Sequence, residues 1–594
     1  MRFFLWMLLL VPGTSSSPWA QTPPTVQWQR RFGNRLDDET AFNFLYTSRH
    51  RLVVGGNFYP ANNSNYRASA LWLLNVRGDS LGQTLYSYRM ASGLVWSYEI
   101  RTVAEATNGD LMMAGVRTVP NRPSWQPENV LLRTDSLGTL KWIQAYPGNA
   151  YGASTLQPLP DNGALLVTHL LHPLSTQFYP VPVPIIIRVD SVGTALWQRN
   201  YGVPYNLLEA ITPLADGSYA LAGGKSTGPP IWQVGGWILR INVSGDTLRS
   251  RVLGGPLSVF KSVAAAPGGG LVLGGFFDRN NALVMVSDSL DRPHWQQQIG
   301  TPVANASPSL SFVRALQQPG QVLVGGVRTL VRYGPSNYLA AWQAPTGAGA
   351  LPVPVWEQQH PQLFQSFSKA LLVPSGPGGL LGVAQYSLYG SQAYDLRITR
   401  FANVPTLYQV PYCQRPPAAY FAAIATGPAA VQVLDASSAG PRHAQLLVYR
   451  WAWGDGTASA GPAPGPHTYA TPPPPGTPVT LTVTNNLGCT GTYTAYPFGN
   501  PTAAQASRAL GAALELYPNP TAGRVALRQG GLGAQGPAAL ALLDALGRVV
   551  MTAATPVAGG ALAAELDLRG LPPGLYLLRV STREGTATRR LVRE

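Results

Sequence analysis

Lysine is almost missing from this chain. It occurs only at Lys141, Lys225, Lys261 and Lys369, so the formal net charge of +15 over 594 residues is carried by arginine. The arginines are scattered, often one per strand-like segment, whereas a nucleic-acid binder gathers its cations in a run or on one face. Nucleic acid is therefore not an expected partner. Charged residues of both signs make up only 12% of the chain, against 45% hydrophobic, too apolar a balance for a disordered protein. Histidine occurs seven times, dispersed; His169 and His172 in HLLH are close, but no third residue stands at a metal-ligand spacing. Beyond the N-terminus no apolar run approaches the ~20 residues that span a bilayer as a helix. Cysteine is limited to Cys413 and Cys489.

Turn formers are abundant instead. Glycine occurs 63 times, proline 54 times, and aromatics reach 10%, which suits many short strands joined by tight turns and predicts an all-β chain. At roughly 100–200 residues per domain the length calls for three or more domains. The first twenty residues, MRFFLWMLLLVPGTSSSPWA, read as a signal peptide (1–20), with Arg2 ahead of a short apolar core and small residues before Ala20. No cysteine follows that core, which excludes a lipoprotein anchor. Export implies an oxidising compartment, so a disulfide between Cys413 and Cys489 is expected, two free thiols being the alternative; closing that loop contributes at most ~4–5 kcal/mol in the chain-entropy model.

Three phrases recur through the first four hundred residues. LADGSYALAGG (214–224), APGGGLVLGGF (266–276), QQPGQVLVGGV (317–327) and ATNGDLMMAGV (106–116) each combine a turn, an apolar strand and a closing glycine. The glycines at 224, 275 and 326 stand one blade length, about 50 residues, apart. Next come VLLRTDSLGTLKW, IIIRVDSVGTALW and WILRINVSGDTLR, strand–turn–strand hairpins, and then a W…G strand such as WQRNYG (197–202). Units begin near Leu52, Leu111, Leu165, Tyr219, Leu271, Val322 and Leu380. The last unit lacks its W…G strand, and the N-terminus supplies one early, VQWQRRFG (26–33). A strand from the N-terminus completing the last unit would close a ring and remove its open edges. Residues 26–405 are thus expected to form a seven-bladed β-propeller resembling the repeat propellers of exported bacterial proteins.

The repeat disposes of two motifs. GDSLG (78–82) fits the G-x-S-x-G nucleophile pattern, but Ser80 stands where TDSLG and VDSVG carry hairpin tips, and no helix follows. LAGGKST (221–227) has Tyr219 in place of the first glycine of a phosphate loop, and Gly228-Pro229-Pro230 forbids the helix that would hold the phosphate. Asp135 and Asp190 recur at matching hairpin positions, as turn chemistry requires.

From Pro411 the composition changes. VLDASS (433–438), YRWAWGDG (449–456), PHTY (466–469) and VTLTVTNNLGC (479–489) follow in that order. Trp451 and Trp453 alternate on one strand, Gly454-Asp455-Gly456 supplies a turn, and His467 and Tyr469 enter the next strand. The set Trp453, Gly454, Asp455, Gly456, His467 and Tyr469 resembles the PKD domain, which implies an immunoglobulin-like β-sandwich over 411–497. Ala452 replaces an aspartate frequent in that family, which argues against a calcium site, and His467 is read as turn packing and not as a metal ligand. Members of the family act as spacers or as carbohydrate- or protein-contacting surfaces.

A small-residue linker (498–513) precedes the final module (514–594). LYPNPTAGRVAL (516–527) opens it; LLDALGRVV (542–550), LDLRGLPPGLYLLRV (566–580) and TRRLVRE (588–594) follow. Together they resemble the C-terminal sorting domain of the type IX secretion route, on Pro518, Asn519, Pro520, Gly547, Gly574, Tyr576, Arg589, Arg590, Leu591 and Val592. Pro518 and Pro520 deny backbone donors and start the domain cleanly. The arginines around Leu591 and Val592 read as a charged tail with an apolar grip for a receptor groove. The resemblance implies a second immunoglobulin-like sandwich, passage through the periplasm, handling by an outer-membrane translocon and a sortase-like peptidase, and release or attachment to surface polysaccharide or lipopolysaccharide.

No catalytic motif survives, and no catalytic residue, cofactor or metal is expected. The leading expectation is a non-catalytic secreted or cell-surface protein whose propeller and PKD-like module present a binding surface for glycans, proteins or other cells. The alternative is an extracellular hydrolase or lyase whose site is assembled at the propeller channel from several blades, beyond the reach of linear motifs.

Overall fold

A computed structural model of the chain describes residues 24–499 and 514–594, apart from 33–37, 60–67, 90–94, 97, 119–126, 147, 149, 173–180, 228–233, 254–257, 278–280, 301–308, 331–333, 346–350, 362–370, 375–379, 388–393, 531, 533–535, 546–547, 559 and 583–584. The segment expected to be a signal peptide (1–20), most of the segment expected to be a linker and Gly547 lie outside the described residues. Among those described there is no α-helix, only strands and two short 3-10 turns, and no helix long and apolar enough to cross a membrane. The chain divides into two units. One is Met1–Gln414 with Pro441–Gln445 and Asn486–Gly488; the other is Arg415–Gly440, Leu446–Asn485 and Cys489–Glu594.

Among the described residues of the first unit the strands form seven four-stranded antiparallel sheets and one two-stranded ribbon, Tyr88–Arg89 with Val95–Trp96. Six are built from consecutive strands. The seventh takes Leu371–Pro374, Leu380–Ser387 and Tyr394–Ala402 and adds the N-terminal strand Thr25–Phe32 beside the last of these. The first strands of sheets 1 to 7 are Asp38–Tyr46, Tyr98–Glu105, Ala150–Pro158, Leu207–Pro213, Val259–Ala265, Ser309–Ala315 and Leu371–Pro374. Each packs against the first strands of the sheets before and after it, and the seventh packs against the first, so the seven close on themselves as an inner ring. The closure is reinforced by side chains. Arg400 Nη1 donates to the Val76 carbonyl at 3.0 Å, and Trp28 of the N-terminal strand lies so close to Gly78 that a Cβ there would meet its ring at 2.7 Å.

Burial explains the composition of each strand. Second and third strands are enclosed on both faces by neighbouring sheets and read as continuous apolar runs, as in Leu71–Leu74 or Ile185–Ile187. Fourth strands face water on their outer side and edge; Ala195–Asn200 and Thr247–Leu253 carry arginine and threonine there, and charge on an edge discourages pairing with another chain. The core is accordingly divided into clusters between adjacent sheets, such as the one joining Val53 and Leu71 to Ile100, Leu111 and Val130.

Buried ion pairs tie third strands to turns. Arg133 meets Asp110 at 3.0 Å and Arg240 meets Asp291 at 2.6 Å, while Arg188 pairs with Asp161. The hairpin aspartates serve their own turns: Asp135 Oδ1 accepts from Leu137 and Thr139 N–H, and Asp190 Oδ1 from Val192 and Thr194 N–H. Ser80 begins an exposed strand after such a turn, consistent with a hairpin and not a nucleophile elbow.

In the second unit, residues 421–495 form a three-stranded and a four-stranded sheet that share a core of Phe421, Val431, Trp451, Trp453, Tyr469 and Leu481. The terminal module differs from the expected pair of sheets. Its strands form one continuous seven-stranded sheet. Val549–Ala558 pairs along most of Gly536–Leu543 but touches Ala561–Asp567 only at Val557 and Ala558, so a single strand links the two halves that enclose Val525, Leu540, Leu578 and Leu591.

Candidate functional site

The inner ring carries a recurring irregularity. Six of the seven first strands shift register at a corresponding place, between Ala41 and Asn43, Ile100 and Thr102, Ala153 and Thr155, Leu208 and Ala210, Phe260 and Ser262, and Leu310 and Phe312, the third of them shifting also between Ala150 and Gly152. The bulged positions are Phe42, Arg101, Ser154, Glu209, Lys261 and Ser311. A bulge bends the strand, re-aims a side chain, and is enriched beside active sites.

The closing glycine of the first sequence phrase is the other half of this device. Ile100, Leu208 and Phe260, just before the bulge, pair with Gly115, Gly223 and Gly275. A Cβ on Gly223 would lie 1.9 Å from the Leu207 carbonyl oxygen, and on Gly115 and Gly275 2.0 Å from those of Glu99 and Val259. Glycine in a strand costs about 0.5–1 kcal/mol relative to alanine, so its recurrence against propensity reflects this close approach. In the fourth sheet the residue involved is Gly223, not the Gly224 singled out by spacing.

The backbone donor just before a bulge finds its partner in the preceding sheet. Ile100 N–H donates to Asn57 Oδ1 and Leu208 N–H to His169 Nε2, both at 3.0 Å. That bond gives His169, 2% exposed, a structural task, and among the described residues no group of three or more metal-ligating side chains occurs.

Two ion pairs stand at the bulge level. Lys261 Nζ lies 2.5 Å from Glu209 Oε1, joining the bulged residues of neighbouring inner strands, with side chains 32% and 23% exposed. Arg101 lies 2.7 Å from Glu99 of its own strand, and these side chains are 39% and 30% exposed. All four side chains, on strands of the inner ring, are thus partly open to solvent. Asp110 offers a contrast: although burial pushes its carboxyl up, bonds from Lys141, Arg133 and Asn108 hold it below the usual range, leaving it saturated. Arg101, Glu209 and Lys261 were missed in the sequence because they lie about fifty residues apart or more; their signal was the recurring glycine opposite them.

The residues singled out between Trp453 and Tyr469 come together. Trp453 is 1% exposed and stacks on His467 at 4.5 Å, and Tyr469 Oη donates to the Trp453 carbonyl at 2.8 Å. His467 Nε2 lies 2.9 Å from Asp455 Oδ2. Asp455 also accepts from Thr457 N–H and Oγ1, between Gly454 and Gly456 at positive φ. Burial pushes the Asp455 carboxyl up, but the Thr457 and His467 bonds prevail and lower it to about 2. His467 is thus ring packing plus a carboxylate contact. Cys413 and Cys489 are both disulfide-bonded.

In the terminal module Pro518 and Pro520 flank Asn519, whose side chain clamps the last strand: Nδ2 donates to the Arg590 carbonyl at 2.8 Å and Oδ1 accepts from Val592 N–H at 2.9 Å. Gly574 opens the strand that contains Tyr576, whose hydroxyl donates to the Pro572 carbonyl at 2.7 Å. The tail is a paired strand, Gly585–Arg593. Leu591 is fully buried in the module's core, so the apolar grip expected of it is unavailable to a receptor; register with Tyr576 turns it inward. Arg589 donates to the Leu514 carbonyl, and Arg590 is exposed.

Residues 515–594 match the family described as the secretion system C-terminal sorting domain. The chain is exported by the type IX secretion route, to the cell surface or the medium. No curated protein matches it. Solved structures similar to it include a protein of unknown function from Dyadobacter fermentans (11% identity, 64% of this chain and 99% of that one, TM-score 0.38). The polysaccharide lyase Uly1 aligns at 11% identity over 65% of this chain and 95% of its own, TM-score 0.37. The NanB sialidase from Streptococcus pneumoniae aligns at 8% over 64% and 70%, TM-score 0.35. The expectation that the chain is not an enzyme is corrected here: structures similar to it include a lyase and a sialidase. The lack of a linear motif does not speak against an enzyme, because a site assembled from several sheets would leave none.

Proposed function

We propose that the seven sheets are the blades of a closed β-propeller whose central channel holds the active site of an extracellular hydrolase or lyase acting on polysaccharide. The observation that carries this reading is the Glu209–Lys261 ion pair between two bulged inner-strand residues, with Arg101 at the matching position of another strand. A carboxylate in reach of solvent can exchange a proton with a sugar, and nearby cations can hold an acidic sugar or stabilise developing negative charge. The names of the lyase and the sialidase agree with this class of substrate without arguing for it. In the same reading residues 411–497 are a PKD-like spacer or carbohydrate contact, and a translocon and sortase-like peptidase process the terminal module.

The test is to incubate the mature protein with neutral and acidic polysaccharides, following unsaturated products by ultraviolet absorbance and new reducing ends by chemical assay. Turnover that Glu209→Gln lowers by about 10²-fold or more, with Arg101→Met weakening use of acidic substrates, is the expected result. Retention of polysaccharide without cleavage, or turnover indifferent to both substitutions, ends the proposal.

A further inference from the structure

The terminal module has an outer face that its own core does not use. Strand register sets Val549, Leu543, Leu577 and Arg590 in one row across four strands, and Leu575 beside Val592 in the next. Their neighbours Leu542, Leu578 and Leu591 turn the opposite way into the core. Val549 is 55% exposed, Leu575 40% and Leu577 39%, while Leu543 between Val549 and Leu577 is 6% exposed. Scattered single leucines would need no explanation, but aligned aliphatic side chains on one face mark an interaction surface.

The charge on this face is uncompensated. Arg579 follows Leu577 by two residues and so shares its face, as Arg590 does by pairing. Among the described residues neither has a carboxylate partner, whereas Arg548, Arg569 and Arg524 of the same module each do. An apolar patch with arginines at its margin is the composition of a protein interface, and free guanidiniums call for carboxylates opposite. A membrane-surface contact would draw on tryptophan, tyrosine or clustered lysine, and the rows on this face contain none.

We propose that this face, centred on Leu575 and Leu577 with Arg579 and Arg590 beside them, is where the export machinery engages the chain, through a protein groove that is apolar and edged with acidic side chains. It takes the place of the grip that Leu591, being buried, does not provide.

The test uses the full chain in a host with the type IX route, measuring the extracellular and surface fraction against the periplasmic fraction, with folding of the terminal module read from protease resistance. Arg579→Glu/Arg590→Glu and Leu575→Gln/Leu577→Gln are each expected to lower the exported fraction by about tenfold or more while the module stays protease-resistant. Both arginine side chains are exposed and, among the described residues, pair with no carboxylate, so their variant leaves the core intact and decides the matter even if the leucine variant unfolds. Normal export of the arginine variant overturns the proposal. So does loss of binding to phosphatidylglycerol vesicles with export unchanged, which would assign the face to lipid.

Discussion

Tyr146 donates its hydroxyl to the carbonyl of Gly193, 2.9 Å away, linking the outer strand of the second sheet to the hairpin of the third. Tyr86 makes the same bond to Gly138 at 2.6 Å and Tyr201 to Gly245 at 2.6 Å. Tyr146 and Tyr201 belong to W…G segments, Tyr86 ends the equivalent strand of the first sheet, and the three glycines sit in the hairpin phrase, so the two repeats are halves of one latch. Tyr146→Phe removes the donor and leaves a buried carbonyl unpaired, at a cost of about 1–3 kcal/mol. Chemical denaturation is expected to show that loss with little change in the slope.

The latch also has an alkaline limit. Burial pushes the Tyr86, Tyr146 and Tyr201 hydroxyls well above their ordinary pKa of 10.0. A folded-state pKa above the unfolded value means that the stabilisation is complete below about pH 10 and declines as pH rises beyond it. The Tyr86→Phe/Tyr146→Phe/Tyr201→Phe variant should therefore lose stability less steeply above pH 10 than the native chain; equal slopes would show that the hydroxyls do not titrate with unfolding.

The inner-strand bulge makes a sharper demand on one residue. Gly223→Ala places a methyl group 1.9 Å from the Leu207 carbonyl oxygen, so the inner strand has to shift. Gly82→Ala meets nothing within 4 Å. The first variant should be destabilised by more than about 3 kcal/mol or fail to accumulate, and the second should stay within about 0.5 kcal/mol of the native chain. Thermal unfolding of the pair side by side checks this, and a tolerated Gly223→Ala would show that the bulge is free to relax.

Much of the ring was legible because it repeats. The unit starts near Leu52, Leu111 and Leu271 fall on the second strands of their sheets, and VQWQRRFG became the strand beside Tyr394–Ala402 because a four-stranded sheet missing one member leaves a visible gap in the phrase order. Arg101, Glu209 and Lys261 were illegible for the opposite reason: a bulge is a property of two paired strands, and only its glycine partner recurs. Leu591 was misplaced because alternation fixes which residues share a face but not which face is buried. Hydrogen-bond register with the strand containing Tyr576 decides that.

Asp455 gives the sandwich an acid limit. Its carboxyl is held at about 2 against an ordinary 3.8, burial working upward and the Thr457 and His467 bonds working downward more strongly. A depressed folded-state pKa contributes stability above the unfolded value, which is lost as pH falls from about 4 toward 2. Asp455→Asn keeps the side-chain shape and removes the titration. Between those pH values, protease cleavage mapped to residues 411–497 should accelerate more in the native chain than in the variant. Parallel acceleration would assign the acid sensitivity to other groups.

Asn519 is the residue of the Pro-Asn-Pro turn with a measurable mechanical role. Its amide group bonds twice to the outer edge of the last strand, at Arg590 and Val592, and Thr521 continues the contact by donating its N–H to the Val592 carbonyl at 2.9 Å. An edge strand left open frays and offers its backbone to other chains. Asn519→Ala removes both bonds, each worth about 0.5–1.5 kcal/mol at most, and amide hydrogen exchange at Val592 should accelerate severalfold while Leu578, in the core strand beside it, stays protected. Asn519→Asp retains the acceptor for Val592 but loses the donor to Arg590, so exchange at Val592 should remain close to native. If Val592 exchanges at its native rate in the alanine variant, the turn does not hold the tail, and backbone pairing with the Tyr576 strand alone keeps it in place.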